Sequence, residues 1–264
     1  MKRDIYRRFA FIETCLYWGA GITARQLGET FDIARQNAQV SIDAYRKKHP
    51  ENLRYNHSSK RHEVTENFQP HYINLEPRRY LNYLRGNSLT GRFWEVEEWS
   101  DLIIEDADTM FRPYLETTIV RKVVSAIQTQ QALHLYYHAK TGTQRLSIAP
   151  NHLVYASQRY HLRAYCYDWH KHIDLVLSRI LEAEFSDEDW VSDEEDEDWK
   201  QFVELQFMPN PELPEPMKKT LLLDFRLQDG IYAISVRKAL MAYVLREMER
   251  LDWRYKIPLW IKTE

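Results

Sequence analysis

The chain has 264 residues, a hydrophobic fraction of 44% and a formal net charge of -3. This length predicts two or three domains rather than one small core, and the composition excludes a largely disordered chain. The only cysteines are Cys15 and Cys166, and no apolar run is long enough to cross a bilayer, which excludes a disulfide framework, a thiolate metal site and a membrane-spanning helix.

Charge is distributed unevenly along the chain. Residues 1–66 carry 12 Lys and Arg against 8 Asp and Glu, whereas residues 184–198 carry 10 acidic groups and no basic one. The acidic segment makes the net charge of the whole chain negative even though the N-terminal region is basic. Because phosphate affinity depends on local charge, that region can still bind nucleic acid. The N-terminus also lacks the apolar core of a signal peptide, so we expect a cytoplasmic protein.

The N-terminal region has the element order of a winged helix-turn-helix. Apolar spacings of three and four predict a helix over residues 5–18, and two shorter helical patterns flank "TFDI". "LRYNHSSKRHEVT" then alternates about a polar turn, which is typical of a hairpin. This order favours a DNA-binding domain over residues 1–66, although a helix face rich in Gln and Asn can also be merely soluble.

The second helix of this pair is the predicted recognition helix, even though Ala34 stands where a capping side chain is usual. Its core-facing stripe is Ala38, Ile42 and Tyr45. The residues expected to face a DNA groove or the phosphate at its edge are Arg35, Gln36, Asn37, Gln39, Val40 and Lys47. A second set is expected to hold phosphate from the first helix and the wing, namely Thr23, Arg25, Lys60 and Arg61.

Residues 67–115 are predicted to connect this domain to a β-rich one, with a short helix that begins at Pro77 and ends at Gly86. After an amphipathic helix at "LETTIVRKVVSAIQTQQ", several β-rich runs separated by turns predict a small barrel over residues 116–186. In "RYHLRAYCY", strand alternation places Tyr160, Leu162, Ala164 and Cys166 on the core side. The opposite side collects Arg, His and Tyr side chains.

The runs "ALHLYYHAKTGTQRLSIAPNHLVY", "RYHLRAYCYD" and "LVLSRI" resemble a WYL domain, an Sm-like small β-barrel. With the winged helix and "LLLDFRLQDGIYAISVRKALMAYVLREM", the whole chain resembles WYL-domain transcriptional regulators, particularly repressors of bacterial phage-defence operons of the BREX and CBASS kinds. The fold class is then α+β multidomain, with a C-terminal α/β dimerisation domain. Two positions depart from the usual pattern, because Tyr160 replaces Trp and Asn151 stands where His commonly follows the proline.

The resemblance implies a homodimer that binds double-stranded DNA at an inverted-repeat operator. It also implies that the WYL domain senses a nucleotide or nucleic-acid effector, without a cofactor. The sensing role falls by resemblance on Arg145, His161, Arg163 and Arg179, with Tyr136 and His138 as lining residues.

The acidic and proline-rich residues 187–216 are predicted to form a solvated linker, with mimicry of nucleic acid over the basic pocket as the alternative. Residues 217–264 form the predicted dimerisation domain. An apolar helix face there is expected either to pair two chains or to pack within one, and it consists of Ala239, Leu240, Tyr243, Val244 and Met248.

Two other functional classes compete with this interpretation. The chain has 10 His, but the motifs of zinc proteases, P-loop enzymes and serine hydrolases do not occur, so we expect neither catalytic residues nor a metal site. A protein that binds RNA or single strands through the barrel, with the helix-turn-helix serving only for packing, is the second alternative.

Overall fold

The computed structural model describes residues 3–84, 113–227 and 229–263, and the chain divides into two compact units, Met1–Trp190 and Val191–Glu264. The helices of the first unit are α1 (Arg3–Tyr17), α2 (Ala24–Phe31), α3 (Arg35–Lys48), α4 (Pro77–Leu84) and α5 (Thr117–Thr129). Its strands are β1 (Leu53–Asn56), β2 (Arg61–Val64), β3 (Ala132–Ala139), β4 (Gly142–Ala156), β5 (Arg159–Cys166), β6 (Lys171–Val176) and β7 (Ile180–Ser186). No helix in these ranges is long and apolar enough to cross a membrane.

Helices α2 and α3 form the predicted helix-turn-helix. The Thr23 hydroxyl accepts a hydrogen bond from the Gln26 amide (3.1 Å), so Thr23 caps the N-terminus of α2 from the position just before the helix. Asp32 ends α2 in the left-handed conformation (φ 50°) and its amide donates to the Gly28 carbonyl. As predicted, α3 starts at Arg35 after Ala34, which provides no side-chain cap.

The predicted hairpin is the antiparallel pair β1–β2, in which Tyr55 lies opposite His62 and Asn56 opposite Arg61. Lys60 turns the chain in a left-handed conformation (φ 54°) just before β2. On its other edge, β2 pairs with Ile22 in an isolated antiparallel bridge, in which Ile22 and His62 exchange backbone hydrogen bonds of 2.8 and 2.9 Å. The wing is therefore fixed to the segment that begins α2.

Gly21 allows that bridge to form. Its φ is +96°, and a Cβ atom on it would lie 2.4 Å from the His62 carbonyl oxygen. We expect Gly21→Ala to lower the free energy of unfolding by about 2 kcal/mol, because it adds a backbone clash to left-handed strain. Urea denaturation measures the loss.

A control separates the clash from the strain. Gly230 also has a positive φ (+72°), but a Cβ atom there meets no heavy atom within 4 Å. Gly230→Ala should therefore cost only the conformational part, about 1 kcal/mol. Equal losses for the two variants would show that the close approach of Gly21 to the wing does not matter.

Strands β3 to β7 form one antiparallel sheet in the order β6-β5-β4-β3-β7. Its apolar face packs on α5, and the four residues predicted on the core side of β5, Tyr160, Leu162, Ala164 and Cys166, are all buried there, as predicted. The edge strands β6 and β7 are joined by a short 3₁₀ turn, Leu177–Arg179. In the described part of the chain no pairing closes the sheet, so the Sm-like barrel is not confirmed.

The second unit contains α6 (Glu197–Lys200), β8 (Phe202–Pro209), α7 (Glu215–Asp224), β9 (Tyr232–Arg237), α8 (Met241–Met248) and β10 (Trp260–Lys262). The sheet order is β10-β8-β9, and both pairings are antiparallel. One face of this sheet and α8 enclose a small core built around Leu205, Phe207 and Trp260.

Two predictions for the C-terminal half need correction. A solvated linker over 187–216 is wrong for residues 202–209, because β8 is the central strand of the second sheet and Phe207 is fully buried. On α8, Val244 and Met248 pack against the core of their own unit. For these two residues the apolar face therefore packs within one chain, which was one of the two expected outcomes. Of the predicted connector 67–115, residues 85–112, including Gly86, lie outside the described residues.

Candidate nucleic-acid interface

The two faces of α3 are as unlike as the sequence predicts. Ala38, Ile42 and Tyr45 are completely buried, whereas Val40 is 62% exposed on the opposite side. The exposed positions of the predicted groove-facing set are Arg35, Gln36, Asn37, Val40 and Lys47, and Gln39 is half-buried. An exposed valine among amide side chains makes this surface suited to base edges and thymine methyl groups.

Gln39 belongs to a small polar cluster at the middle of α3. Its amide nitrogen donates to the Asp43 carboxylate (3.3 Å), which also pairs with Arg46 (2.9 Å). Gln39 therefore has to exchange a local hydrogen bond for any base contact, while Arg46 partly neutralises the Asp43 carboxylate near the groove-facing side.

The predicted phosphate-holding set lies on α2 and the wing. Thr23 accepts the capping bond and still has its own hydroxyl proton to donate. Arg25 pairs with Glu29 at 2.7 Å, but both side chains are largely exposed, so this pair is weak. Lys60 and Arg61 are exposed at the tip and start of β2. All four side chains are accessible to a DNA backbone.

A buried polar network holds α3 in place. The Glu13 carboxylate is fully buried and accepts hydrogen bonds from the Tyr45 hydroxyl (2.9 Å) and from the amides of His71 (3.0 and 3.1 Å) and Tyr72 (2.8 Å). Asn52 donates to the Tyr45 hydroxyl at 2.8 Å. Burial raises the pKa of Glu13, and the hydrogen bonds from Tyr72, His71 and Tyr45 oppose it. The network thus connects α1, α3 and the segment after the wing.

The second candidate region is the polar face of the five-stranded sheet. Register places Tyr136 opposite Arg145, and His138 opposite Thr143, to which its ring is hydrogen-bonded (2.7 Å). On β5, His161 and Arg163 project from this same face, because Tyr165, two residues on, lies opposite Ala149 of β4. The strand register therefore brings these five predicted sensing residues to one side of the sheet.

His161 and Arg163 are buried, unlike the exposed Tyr136, His138 and Arg145. Arg163 lies opposite Asp174 of β6 and forms an ion pair with it (3.2 Å), with only 8% and 16% of the two side chains exposed. Burial lowers the pKa of His161; Asp174 opposes this, while Arg159 and Arg179 lower it further. The predicted residue Arg179, in the turn after β6, is thus close enough for its charge to act on His161.

Comparison with known families identifies three segments of the chain. Residues 4–86 match the BrxR transcriptional regulator winged helix-turn-helix domain, residues 118–185 the WYL domain, and residues 202–252 the BrxR C-terminal dimerization domain. The chain belongs to the WYL-domain transcriptional regulators. The match from residue 202 also agrees with the position of β8 in the C-terminal unit.

Three relatives are similar to this WYL-domain regulator over most of its length. Each is named DNA-binding transcriptional repressor CapW, from Escherichia coli (strain KTE188), Pseudomonas aeruginosa and Stenotrophomonas maltophilia, with 28%, 26% and 27% identity. Each alignment covers 92% of this chain and 82% of the relative. The solved structure of PafBC from Arthrobacter aurescens aligns with 99% of this chain and about half (46%) of its own, at 12% identity and a TM-score of 0.29, which is too low to support an argument.

The two departures from the usual WYL pattern have structural counterparts. The hydroxyl of Tyr160, which replaces Trp, donates to the Asn82 side-chain oxygen of α4 at 2.6 Å. An indole could not reproduce this bond with the same geometry, so the substitution ties this WYL domain to the segment before residue 85. Asn151 is buried at the bulge of β4, between Pro150 and His152.

Sequence reasoning missed the residues that position the site. Glu13 lies in an amphipathic helix where a carboxylate normally faces solvent, and its partners are 32 to 59 residues away. Asp174 is similarly hidden, because only the register of β5 and β6 brings it to Arg163. A charged residue at a core position of the α1 periodicity was the one available signal for Glu13.

Proposed function

We propose that this WYL-domain regulator is a sequence-specific DNA-binding repressor that acts as a homodimer on an inverted repeat. Two copies of α3 enter the major groove at the half-sites, and the wing and α2 hold the flanking phosphates. A nucleotide or nucleic-acid effector at the polar face of the WYL sheet changes the affinity for DNA. For the effector to regulate DNA binding, it must bind the DNA-competent and DNA-incompetent arrangements with different affinity.

One observation carries the proposal: α3 has a completely buried stripe and, opposite it, exposed amide side chains with an exposed valine. A helix used only for packing has no need of such a surface beside a basic wing. The CapW relatives are named DNA-binding repressors, which agrees with this use of the helix.

The dimer is supported by the match of residues 202–252 to a dimerization domain. In that unit, large apolar side chains remain exposed, including Leu223 (77%) and Trp253 (71%). A partner chain that docked on this unit would cover such side chains. Sedimentation equilibrium at micromolar concentration should give twice the chain mass; a monomer mass would contradict the dimer.

The primary test compares nucleic acids. Fluorescence anisotropy with a duplex from the promoter upstream of the gene should give at least about 10³-fold tighter binding than a scrambled duplex at the same salt. RNA of matched sequence should bind no better than the scrambled duplex. Tighter binding to RNA would support the alternative in which the WYL sheet binds RNA and the helix-turn-helix serves only for packing.

Gln36→Ala tests the role of the recognition helix. We expect it to weaken binding to the cognate duplex by about 1–3 kcal/mol and to leave scrambled DNA nearly unaffected, because an amide that reads a base is lost. The matched control is Lys60→Ala, which should weaken both duplexes alike and lower the salt slope by about 1. An equal loss on both duplexes for Gln36→Ala would show that α3 does not read bases.

A further inference from the structure

A cavity of about 600 Å³ lies in the first unit, where the end of α1, the start of α2, the wing and α4 meet. Its remaining wall is formed by Gln128 of α5. The volume lies within the range of small-molecule sites, roughly 300–1,000 Å³. None of the six predicted WYL sensing residues lines it, so it is separate from the polar face of the sheet.

One part of the cavity wall is apolar. Phe11 and Cys15 line it from α1, and Tyr80 and Leu84 line it from α4, where Leu84 leaves 51% of its side chain exposed. Burial raises the pKa of the Cys15 thiol to about 12, so this group stays neutral and behaves as a small apolar side chain. This part of the wall suits a flat aromatic or aliphatic body.

The other part of the wall is polar and carries two cations, Arg25 from α2 and Arg61 from the wing, against one carboxylate, Glu29 of α2. Arg25 is held by an exposed Glu29 carboxylate, whose place an incoming anion can take. The oxygen of the Gln128 amide accepts from the Ala20 backbone (3.2 Å), which leaves its amide nitrogen as a donor. Two guanidinium groups and an amide donor beside an apolar wall are suited to an amphipathic anion.

We propose that this cavity binds a small molecule with an aromatic or aliphatic body and one anionic group, and that the bound molecule weakens DNA binding. The second part rests on the proposed repressor function. Arg25 and Arg61 are the side chains assigned to DNA phosphates, and the anion competes with phosphate for them. The cavity is thus a second control point, independent of an effector on the WYL sheet.

The surrounding structure transmits occupancy to the wing. The segment Gly19–Gly21 borders the cavity and leads directly into the bridge between Ile22 and His62. On the other side, Arg121 of α5 donates to the Tyr17 carbonyl (2.7 Å) and stacks on its ring (4.0 Å). A ligand that shifts this segment therefore moves the start of α2 and the wing together.

The probe for the site is 1-anilinonaphthalene-8-sulfonate, which has an aromatic body and one sulfonate and fluoresces when it leaves water. Titration of the full chain without DNA should show saturable binding of one molecule to this cavity. Arg61→Gln should weaken that binding by about tenfold, because a charge-assisted hydrogen bond is lost. Leu84→Trp should abolish it by filling the apolar part.

Trp169→Ala is the matched control, because this side chain between β5 and β6 is exposed and does not line the cavity, and an apolar dye would bind nonspecifically to such an aromatic group. It should leave the saturable component unchanged. The site is disproved if no saturable binding occurs, or if neither Arg61→Gln nor Leu84→Trp alters it. Circular dichroism of each variant confirms that the fold is retained, and Arg61→Gln decides the question if Leu84→Trp unfolds.

The regulatory part is tested by adding saturating probe to the promoter-duplex titration. The apparent Kd of the wild-type chain should rise about tenfold, and that of Leu84→Trp should not move from its own probe-free value. Probe binding with unchanged duplex affinity would overturn the regulatory part. A chain that binds the probe but no duplex at all would refute the repressor function while confirming the site, so the two failures are distinguishable.

Discussion

Replacing Glu13 with alanine is expected to lower the free energy of unfolding of the first unit by about 3–5 kcal/mol. The substitution removes the shared acceptor of the Tyr45 hydroxyl and of the His71 and Tyr72 amides, and a buried donor left without an acceptor costs about 1–3 kcal/mol. Hydrogen exchange of peptides from α1 and α3 measures the loss. Peptides from the second unit serve as the internal reference, because Glu13, Tyr45, Asn52, His71 and Tyr72 all lie in the first unit.

Glu13→Gln is the control for charge, since its amide oxygen still accepts two of the three bonds. It should cost about 1–2 kcal/mol, less than half the loss with alanine. If the α1 and α3 peptides of both variants show the same hydrogen-exchange rates as the wild type, the network does not stabilise α3.

The same glutamate predicts a pH dependence. Burial raises the pKa of Glu13 above its usual value, so the folded chain keeps this proton at pH values where the unfolded chain has released it. The stability gained by keeping this proton is therefore complete below pH 4.5, the ordinary pKa. It is lost as the pH rises through the higher pKa that Glu13 has in the folded chain. Glu13→Gln should remove that decline from a series of urea titrations across this range.

The helix-turn-helix and wing were predictable because their signals are local. Thr23 caps a helix that starts one residue later, and a period of 3.6 placed Ala38, Ile42 and Tyr45 on the buried side of α3. The polar turn before Arg61 likewise marked the hairpin. Each of these features depends on residues close together in sequence, which periodicity and capping rules describe.

Strand β8 was missed because its environment is not local. It follows a strongly acidic stretch and precedes a proline group, and its outward residues, such as Glu204 and Gln206, read as solvated chain. The residues that make it a central strand are in β9 and β10, which begin at Tyr232 and Trp260. A sheet with one exposed face gives a weak hydrophobic signal when its partners lie so far along the chain.

The WYL face shows the same limit within one candidate site. Alternation in β5 placed His161 and Arg163 on a polar side, which agrees with the register. It could not show that Arg163 is buried or that Asp174 lies opposite, since both depend on how β6 pairs with β5. The residue types were therefore predictable, and their electrostatic states were not.

Because Arg163 is buried, we expect Arg163→Met to cause a large loss of stability. We expect the free energy of unfolding of the first unit to fall by about 3 kcal/mol, because methionine matches the stem of arginine but removes the cation that faces Asp174 in a largely dehydrated pair. Arg145→Met is the matched control on the same sheet face; Arg145 is exposed, so its loss should stay within about 0.5 kcal/mol. Hydrogen exchange of peptides from β4 and β5 measures both.

The double variant Arg163→Met with Asp174→Leu shows whether the lost stability comes from leaving the Asp174 carboxylate buried without this cation or from losing the packing of Arg163. If the cost of Arg163→Met arises mainly from the carboxylate left in low dielectric, removing that carboxylate restores most of the stability, because two apolar side chains can replace a buried pair at little cost. A double variant as unstable as Arg163→Met alone would instead mean that Arg163 stabilises the sheet by packing. In that case the pair would place no electrostatic constraint on an anionic effector at this face.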